Sequence, residues 1–465
     1  MTAVRTGALP RLTVAANCPN CGAPIDFGEG TNAFQCDHCR SQLLVTGHGR
    51  VLSYFVAPKV EAAHAISAAR LAQDCGRGPL RTGEAHLFFL PYYRLTATDV
   101  RWQRPEPEPP EPPPEPGDGE SGTSTPLGVL LRQLVPDRDP EEIECRDRAI
   151  ERNFVALDLP GLSLYSLGMR PNALRLELYR REALDALGHV VGIEVSQESA
   201  LATGRKTGDG TDVACRAVVG AVLSVVHFPF WLVEIFRRPR SRSLTIVDAV
   251  SQAVIDRDVD AAILERLAKP ASGAPSVIGF RPLVCPNCGW DLPVAPEHVI
   301  FYCGSCVRAW RIDGDELVEL PHDFAATPAS GRGEAIAEHL PFWSLRAAVG
   351  DEAPQSFLAP AFRYRRARSL VDLTAALSRV ASSLAKGSSR PPRAHGGFFD
   401  EADAAALALL AHAGASPRSF TRAERYRHES IRVESAELVW LPFVADAYSL
   451  RDALCGMAVT RGLLL

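Results

Sequence analysis

The sequence predicts an α+β protein, with an internally duplicated, β-rich body carrying two compact four-cysteine units. Three observations predict it. The segment CPNCG occurs at Cys18–Gly22 and again at Cys285–Gly289, and each copy is followed, after fourteen intervening residues, by a second CxxC pair. Both halves of the chain then set four apolar, strand-like runs against prolines, in the same order. Strand-like and helix-like runs mix irregularly, which argues for α+β rather than a doubly wound sheet.

Composition sets the outer limits. A chain of 465 residues has room for two to four domains, and 46% hydrophobic with 23% charged residues is ordinary for a soluble globular protein. The net charge of −5 gives no global attraction to nucleic acid or anionic membrane, so either would need a local basic patch. The start, MTAVRTGALPRLTVAANCPNC, has no apolar run long enough for a signal peptide. Eight of the twelve cysteines form the CxxC pairs; Cys75, Cys145, Cys215 and Cys455 are scattered singly as reduced, partly buried residues. That usage fits a reducing compartment, so the expected location is cytoplasmic.

The first unit, residues 14–47, offers Cys18, Cys21, Cys36 and Cys39; the second, residues 280–314, offers Cys285, Cys288, Cys303 and Cys306. Four thiolates suit a borderline-soft cation, and two intervening residues let both sulfurs of one turn reach the same ion. Gly22 and Gly289 follow the first knuckles and supply permissive backbone, while Pro19 and Pro286 pre-set φ within them. Two identical spacings argue against disulfides or free thiols. Four cysteine ligands leave no open coordination position, so the reading is two structural Zn2+ ions, with His38 a solvent-facing turn residue. On these residues both units resemble the zinc-ribbon fold group, over about 22 residues each.

Between and after the ribbons the elements run as follows. The first α+β body covers 48–103 and 127–270, with a helix over Lys59–Asp74 that sets Val60, Ala63, Ile66 and Leu71 near one face. Residues 104–126, RPEPEPPEPPPEPGDGESGTSTP, cannot bury apolar surface and read as a disordered Pro/Glu-rich insertion acting as an acidic spacer. Pro140–Phe154 reads as a charged helix. The run Ala217–Val233, AVVGAVLSVVHFPFWLV, is short for a membrane span and contains Pro229. The second body, 315–465, carries helices over Ser369–Lys386 and over Asp400–Ala413, the latter with Asp400 as N-cap.

The duplication aligns SYFVAPK (Pro58), LFFLPYY (Pro91), VALDLPG (Pro160) and VVHFPFW (Pro229) with LVELPHD (Pro321), HLPFWSL (Pro341), SFLAPAF (Pro360) and LVWLPFV (Pro442). The last pair aligns without a gap. Its second member lies in AELVWLPFVADAYSLRDAL, whose Glu437, Asp446 and Arg451 forbid a membrane span, so Ala217–Val233 is expected as a strand covered on both faces. Prolines in strands belong at edges, bulges or ends, so Tyr92, Tyr93, Phe230, Trp231, Phe342 and Trp343 are expected to turn into a core. At this level the chain resembles uncharacterised bacterial proteins that couple an N-terminal zinc ribbon to sheets with LPYW- or LPFW-type strands. That resemblance implies no activity.

No enzyme signature is present: GRKTGDG at 204–210 lacks the phosphate-loop order, and there is no G-x-S-x-G or HExxH. His64, His86 and His227 fall among apolar residues, where packing is the default role. Basic clusters lie at 236–242, 363–368 and 418–432, but neither cysteine unit contains a Lys or Arg between its outer cysteines. The expected role is a non-enzymatic, zinc-binding adaptor or scaffold with unknown protein partners. A nucleic-acid-associated factor using Arg363–Arg368, or peripheral membrane attachment through 213–242, are the alternatives.

Overall fold

A computed structural model of the chain describes residues 12–47, 51–73, 80–105, 139–158, 174–205, 210–238, 241–268, 278–326, 336–387 and 394–464. The chain opens with two hairpins. Strands β1 (Thr13–Asn17) and β2 (Pro24–Gly28) flank one CxxC, and β3 (Ala33–Gln35) and β4 (Gln42–Thr46) flank the next. Next come the buried β5 (Leu52–Val56), α1 (Ala62–Gln73) and the long β6 (Arg81–Gln103). Then come β7 (Glu144–Val155), β8 (Arg175–Leu178), α2 (Arg181–Asp185), β9 (His189–Val190) and α3 (Gln197–Arg205). The longest strand, β10 (Val213–Arg238), precedes β11 (Ser241–Asp248), β12 (Val254–Asp260) and α4 (Ala262–Leu267). Antiparallel pairing of β6 with β10 is the spine of the first large sheet, which also takes in β1 and β2.

Strand β13 (Gly279–Pro282) pairs antiparallel with β4, returning the chain to the first four-cysteine unit just before the second begins. The second unit is built on β14 (Ile300–Cys303), β15 (Arg308–Asp313) and β16 (Glu316–Leu320). The second large sheet contains β17 (His322–Ala325), β18 (Ile336–Val349), β19 (Gln355–Pro360), β20 (Lys386–Gly387), β21 (Ile431–Ala445), β22 (Ser449–Asp452) and β23 (Ala458–Thr460). Helices α5 (Ala367–Ser378), α6 (Glu401–Ala413) and α7 (Phe420–Glu424) pack with it. Leu370, Leu373 and Leu377 recur at helical spacing on α5 and are fully buried or nearly so. Asp400 caps α6, its carboxylate accepting from the Asp403 amide at 2.8 Å. The fold is β-rich with few helices, and no helix among the described residues is long and apolar enough to cross a membrane.

Pro91, Pro229, Pro341 and Pro442 sit mid-strand, contrary to the expectation of edges, bulges or ends, whereas Pro360 ends its strand as expected. The sheet shows why the mid-strand positions are tolerated. On β6 the outer neighbour is β9 up to Phe89 and β7 from Tyr92 onward, so Pro91 lies where one neighbour gives way to the other. Pro229 sits between the β5-paired and β11-paired parts of β10. Pro442 sits between the β17-paired and β22-paired parts of β21. A residue without an N–H fits where the ladder changes partner, because no donor is left buried without an acceptor. The carbonyls still bond: Pro91, Pro229, Pro341 and Pro442 accept from Ala156, Ala249, Ala361 and Ala453 at 2.8, 3.1, 2.9 and 3.0 Å. Tyr92, Tyr93, Phe230, Phe342 and Trp343 are all buried, and Trp231 is partly so.

The two sheets share registers. Pro91 lies opposite His227, two residues before Pro229, and Pro341 lies opposite Trp440, two residues before Pro442. Phe55 opposes His227 as Phe324 opposes Trp440, and Val155 opposes Tyr92 as Pro360 opposes Phe342. By these registers Pro360 matches Val155 rather than Pro160, which lies outside the described residues. Pro58 follows Phe55 by three residues, whereas Pro321 precedes Phe324 by three, so these two do not correspond.

Further sequence expectations change. Pro140–Phe154 is not a helix: Glu144–Val155 forms β7, paired along its length with β6. The helix over Lys59–Asp74 starts at Ala62 and buries Ala65, Ala69 and Gln73 rather than the Leu71 face; Leu71 is 77% exposed. Its alanines let it lie close against Val233, Ile235 and Val247. Within the insertion 104–126, residues 106–126 lie outside the described residues. Ala217–Val233 is part of β10, held by β6 on one side and by β5 and β11 on the other.

The ends of β6 and β10 reach the second half and share a core with it: Val100, Trp102, Cys145 and Cys215 cluster with residues of α5 and α6. The Trp102 indole N–H donates to the Leu410 carbonyl at 2.8 Å, and Gly414 leaves room for the ring, since a Cβ there would come within 2.2 Å of it.

Candidate metal centres

The two CxxC pairs of each unit converge. In the first, the sulfurs of Cys18, Cys21, Cys36 and Cys39 all lie within 4.8 Å of one another, and so do those of Cys285, Cys288, Cys303 and Cys306 in the second. The contacts across the knuckles are Cys18–Cys39 at 3.8 Å, Cys21–Cys36 at 3.9 Å, and 3.5 Å for both Cys285–Cys306 and Cys288–Cys303. Four thiolates about 2.3 Å from a tetrahedral ion stand about 3.8 Å apart, so both sets fit one metal ion each without rearrangement. These are the eight cysteines singled out in the sequence.

The local backbone explains the convergence. In each first knuckle the amide after the second cysteine closes a turn onto the first: Gly22 N–H to Cys18 O at 2.8 Å and Gly289 N–H to Cys285 O at 2.9 Å. The second knuckles do the same with Arg40 onto Cys36 and Val307 onto Cys303, at 2.9 and 2.8 Å. All four closing residues have positive φ: 73° at Gly22, 60° at Arg40, 76° at Gly289 and 58° at Val307. Glycine adopts that region freely, whereas a β-branched valine does so only under strain that the site imposes. The sequence marks the two glycines; nothing in it marks Arg40 or Val307 except their place after a second CxxC.

Amides point at the sulfurs. Those of Ala23 and Ser41 reach Cys21 and Cys39; those of Asn287 and Cys288 reach Cys285, and that of Trp290 reaches Cys288. Donors aimed at a thiolate favour the charged, ligating form. The Ser41 hydroxyl, and then its amide, hold the Cys39 thiol down at about 6. His38 is exposed in its knuckle.

The units are not free appendages. β13 closes onto β4, and Asn32 of the first unit donates from its backbone to Pro296 O at 2.6 Å and from its side chain to Glu297 O and His298 O. Phe27 stacks on Phe34 at 5.2 Å, and Phe280 meets both edge-on. Leu44 of the first unit joins Leu283, Cys285, Phe301 and Trp310 of the second in one cluster. The first unit is also tied to the large sheet. Glu29 forms a buried ion pair with Arg94 of β6 at 3.3 Å and accepts from Ser224 of β10. Gly30, with φ 72°, lies so close to Val222 that a Cβ would come within 2.7 Å of its methyl. These ties were not legible in the sequence, because each joins residues far apart in the chain.

Other candidate groups go elsewhere. Arg363 is buried, ion-paired with Glu297 and 5.2 Å from the Phe398 ring; Arg368 and Arg418 pair with Asp372. For the cluster at 236–242, the side chains at 237–241 lie outside the described residues, and Arg242 pairs with Glu234. His227 is buried against Tyr179, with ring centroids 4.6 Å apart. His86 is half-buried near Glu234, and His64 is exposed, against the expectation of packing. In GRKTGDG, residues 206–209 lie outside the described residues. No family model, curated protein or solved structure matches the chain.

Proposed function

We propose that this protein is a non-enzymatic, cytoplasmic zinc-binding scaffold, in which two structural zinc ribbons hold a joint surface on an internally duplicated body. The observation that carries the reading is the pair of closed four-sulfur sets on docked units. Four cysteine ligands complete a tetrahedral shell, so each ion would stabilise the fold and offer no position for substrate. Cysteine-only ligation favours zinc among the common divalent ions, since oxygen-rich sites suit magnesium and calcium.

Duplication is supported by more than the shared registers. Two consecutive amides, Glu194 and Val195, bond the Ala156 carbonyl; Phe398 and Phe399 bond that of Ala361 in the same way, each pair leading into a helix. Ser196 accepts from the Ser199 amide at the start of α3 as Asp400 accepts from Asp403 at the start of α6. Asp248 and Asp452 head matching turns, with Asp248 N–H to Ala253 O and Asp452 N–H to Met457 O. A third copy of the motif supports a repeat within the first half as well, because Lys59 and Val60 bond the Ala249 carbonyl ahead of α1. In all three copies the aromatic residue two places after the proline bonds the carbonyl just before the helix start: Tyr93 to Val195, Trp231 to Val60 and Trp343 to Phe399.

The scaffold reading is tested by affinity capture of tagged full-length protein, compared with Cys288→Ser. A stoichiometric protein partner held by the wild type and lost with the second ribbon supports it. Salt-dependent binding to DNA or RNA without such a partner would replace it with the nucleic-acid reading, and pelleting with anionic vesicles with the membrane reading.

A further inference from the structure

Where the two halves and both metal units meet lies a cavity of about 490 Å³, a volume typical of small-ligand sites. Asn32 and Arg311 reach it from the metal units, Gln197 and Val222 from the first body, and Asp403 of α6 from the second. Asp403 is only 9% exposed, and its carboxylate accepts from backbone amides, that of Gly220 at 2.8 Å. Buried carboxylates are normally ion-paired. Asp403 is not, among the described residues: Arg205, at the end of α3, acts on it only from beyond ion-pair distance. Arg311, the one basic side chain among the described residues lining the cavity, is engaged by Glu401 at 3.0 Å. Asp313 and Asp400 add two more carboxylates to the lining, and both are exposed.

We propose that this cavity binds a small organic cation of the diamine class, with one ammonium group seated on Asp403 and the methylene stem along the apolar wall. Val222, Ile312 and Phe398 supply that wall. The second ammonium group is met by Asp313 and Asp400. An ammonium gives the buried Asp403 the counter-charge it lacks, and hydrogen bonds between charged partners are the strong ones. The acceptor is fixed in advance. Gly220, at φ 61° in the β10 bulge, holds it by its amide, and packs so close to Phe398 that a Cβ would come within 2.8 Å of the ring.

Other ligand classes fit less well. An anion would face four carboxylates and an arginine already engaged. An inorganic cation needs several oxygens around one point. Among the described residues only the two four-cysteine sets bring three or more ligand atoms within 4.8 Å of one another, so these carboxylates stand too far apart to enclose one ion. A longer organic cation spans them.

The test is calorimetric titration of 1,4-diaminobutane into full-length, metal-loaded protein at pH 8. Burial first, and the Asp400 charge second, hold the Asp403 carboxyl up at about 7, so at pH 8 it is ionised while an ammonium keeps its proton. Saturable binding of one molecule per chain is expected, and 1,4-butanediol, of the same length but uncharged, should not bind. Asp403→Asn should weaken binding by about tenfold or more, the worth of a charge-assisted hydrogen bond. Glu182→Gln removes an exposed acid on α2, outside the cavity, and should change nothing. Absence of saturable binding overturns the proposal, as does equal binding of the diol or wild-type affinity in Asp403→Asn. An equal loss in Glu182→Gln also overturns it, because the amine would then follow the general negative charge. If Asp403→Asn fails to fold, Gln197→Trp fills the cavity from an exposed position, and unchanged affinity there overturns the proposal instead.

Discussion

At the scale of single residues, backbone sign and burial decide more than side-chain type. Gly289 at φ 76° has nothing within 4 Å of where a Cβ would stand, whereas at Gly30 a Cβ meets Val222. Gly289→Ala should therefore cost about 1–2 kcal/mol of ribbon stability with metal stoichiometry intact. Gly30→Ala should cost more, because it adds a clash to the same strain; chemical denaturation of both variants ranks them. His227 gives a second prediction. Burial, and then the charge of Arg181, lower it to about 3, and neither ring nitrogen has a hydrogen-bond partner among the described residues. Above pH 6.5 the ring is neutral folded or unfolded; between about 6.5 and 3 only the unfolded chain takes up the proton. Stability should fall by about 1.4 kcal/mol per pH unit over that window from this group alone. His227→Phe should reduce the slope in urea titrations at pH 7.5, 6 and 5, without destabilising the protein at 7.5. An unchanged slope would show that the ring is not the acid-sensitive group.

At the scale of elements, the eight cysteines and the Asp400 cap were legible because their chemistry acts within a few residues. The prolines were legible as a pattern, but their meaning was not. A run such as LFFLPYY reads as a strand ending at Pro91, yet β6 continues for twelve residues beyond it, because only its neighbour changes there. Pro229→Ala would restore an N–H where no ladder partner faces it, at a cost of about 1–3 kcal/mol, even though alanine is smaller. A neutral result in thermal and urea unfolding would mean that the proline only happens to lie at the junction. Pro140–Phe154 reads as a helix for a related reason. Its alternating charges match helix i,i+3 and i,i+4 pairs as well as an edge strand, and the exposed outer edge of β6 settles the choice, which no local propensity encodes.

At the scale of the whole molecule, the two halves are one unit, with Trp102 seated on α6 and β13 of the inter-ribbon segment closing onto β4. Trp102→Ala should remove about 3–5 kcal/mol and split a single unfolding transition into two, as followed by calorimetry. A likeness between the halves is visible in sequence only in the cysteines and prolines. Tyr93, Trp231 and Trp343 make the same kind of bond with different side chains, a likeness that emerges only in the fold. The proposed scaffold depends on one structural zinc ion in each of the two closed four-cysteine sites. The most direct measurement is elemental analysis of metal-replete, full-length protein, alongside Cys288→Ser. Two zinc ions per chain, falling to one in the variant with the first site still loaded, is the result predicted. One ion or fewer in the wild type, or a metal other than zinc, would contradict it.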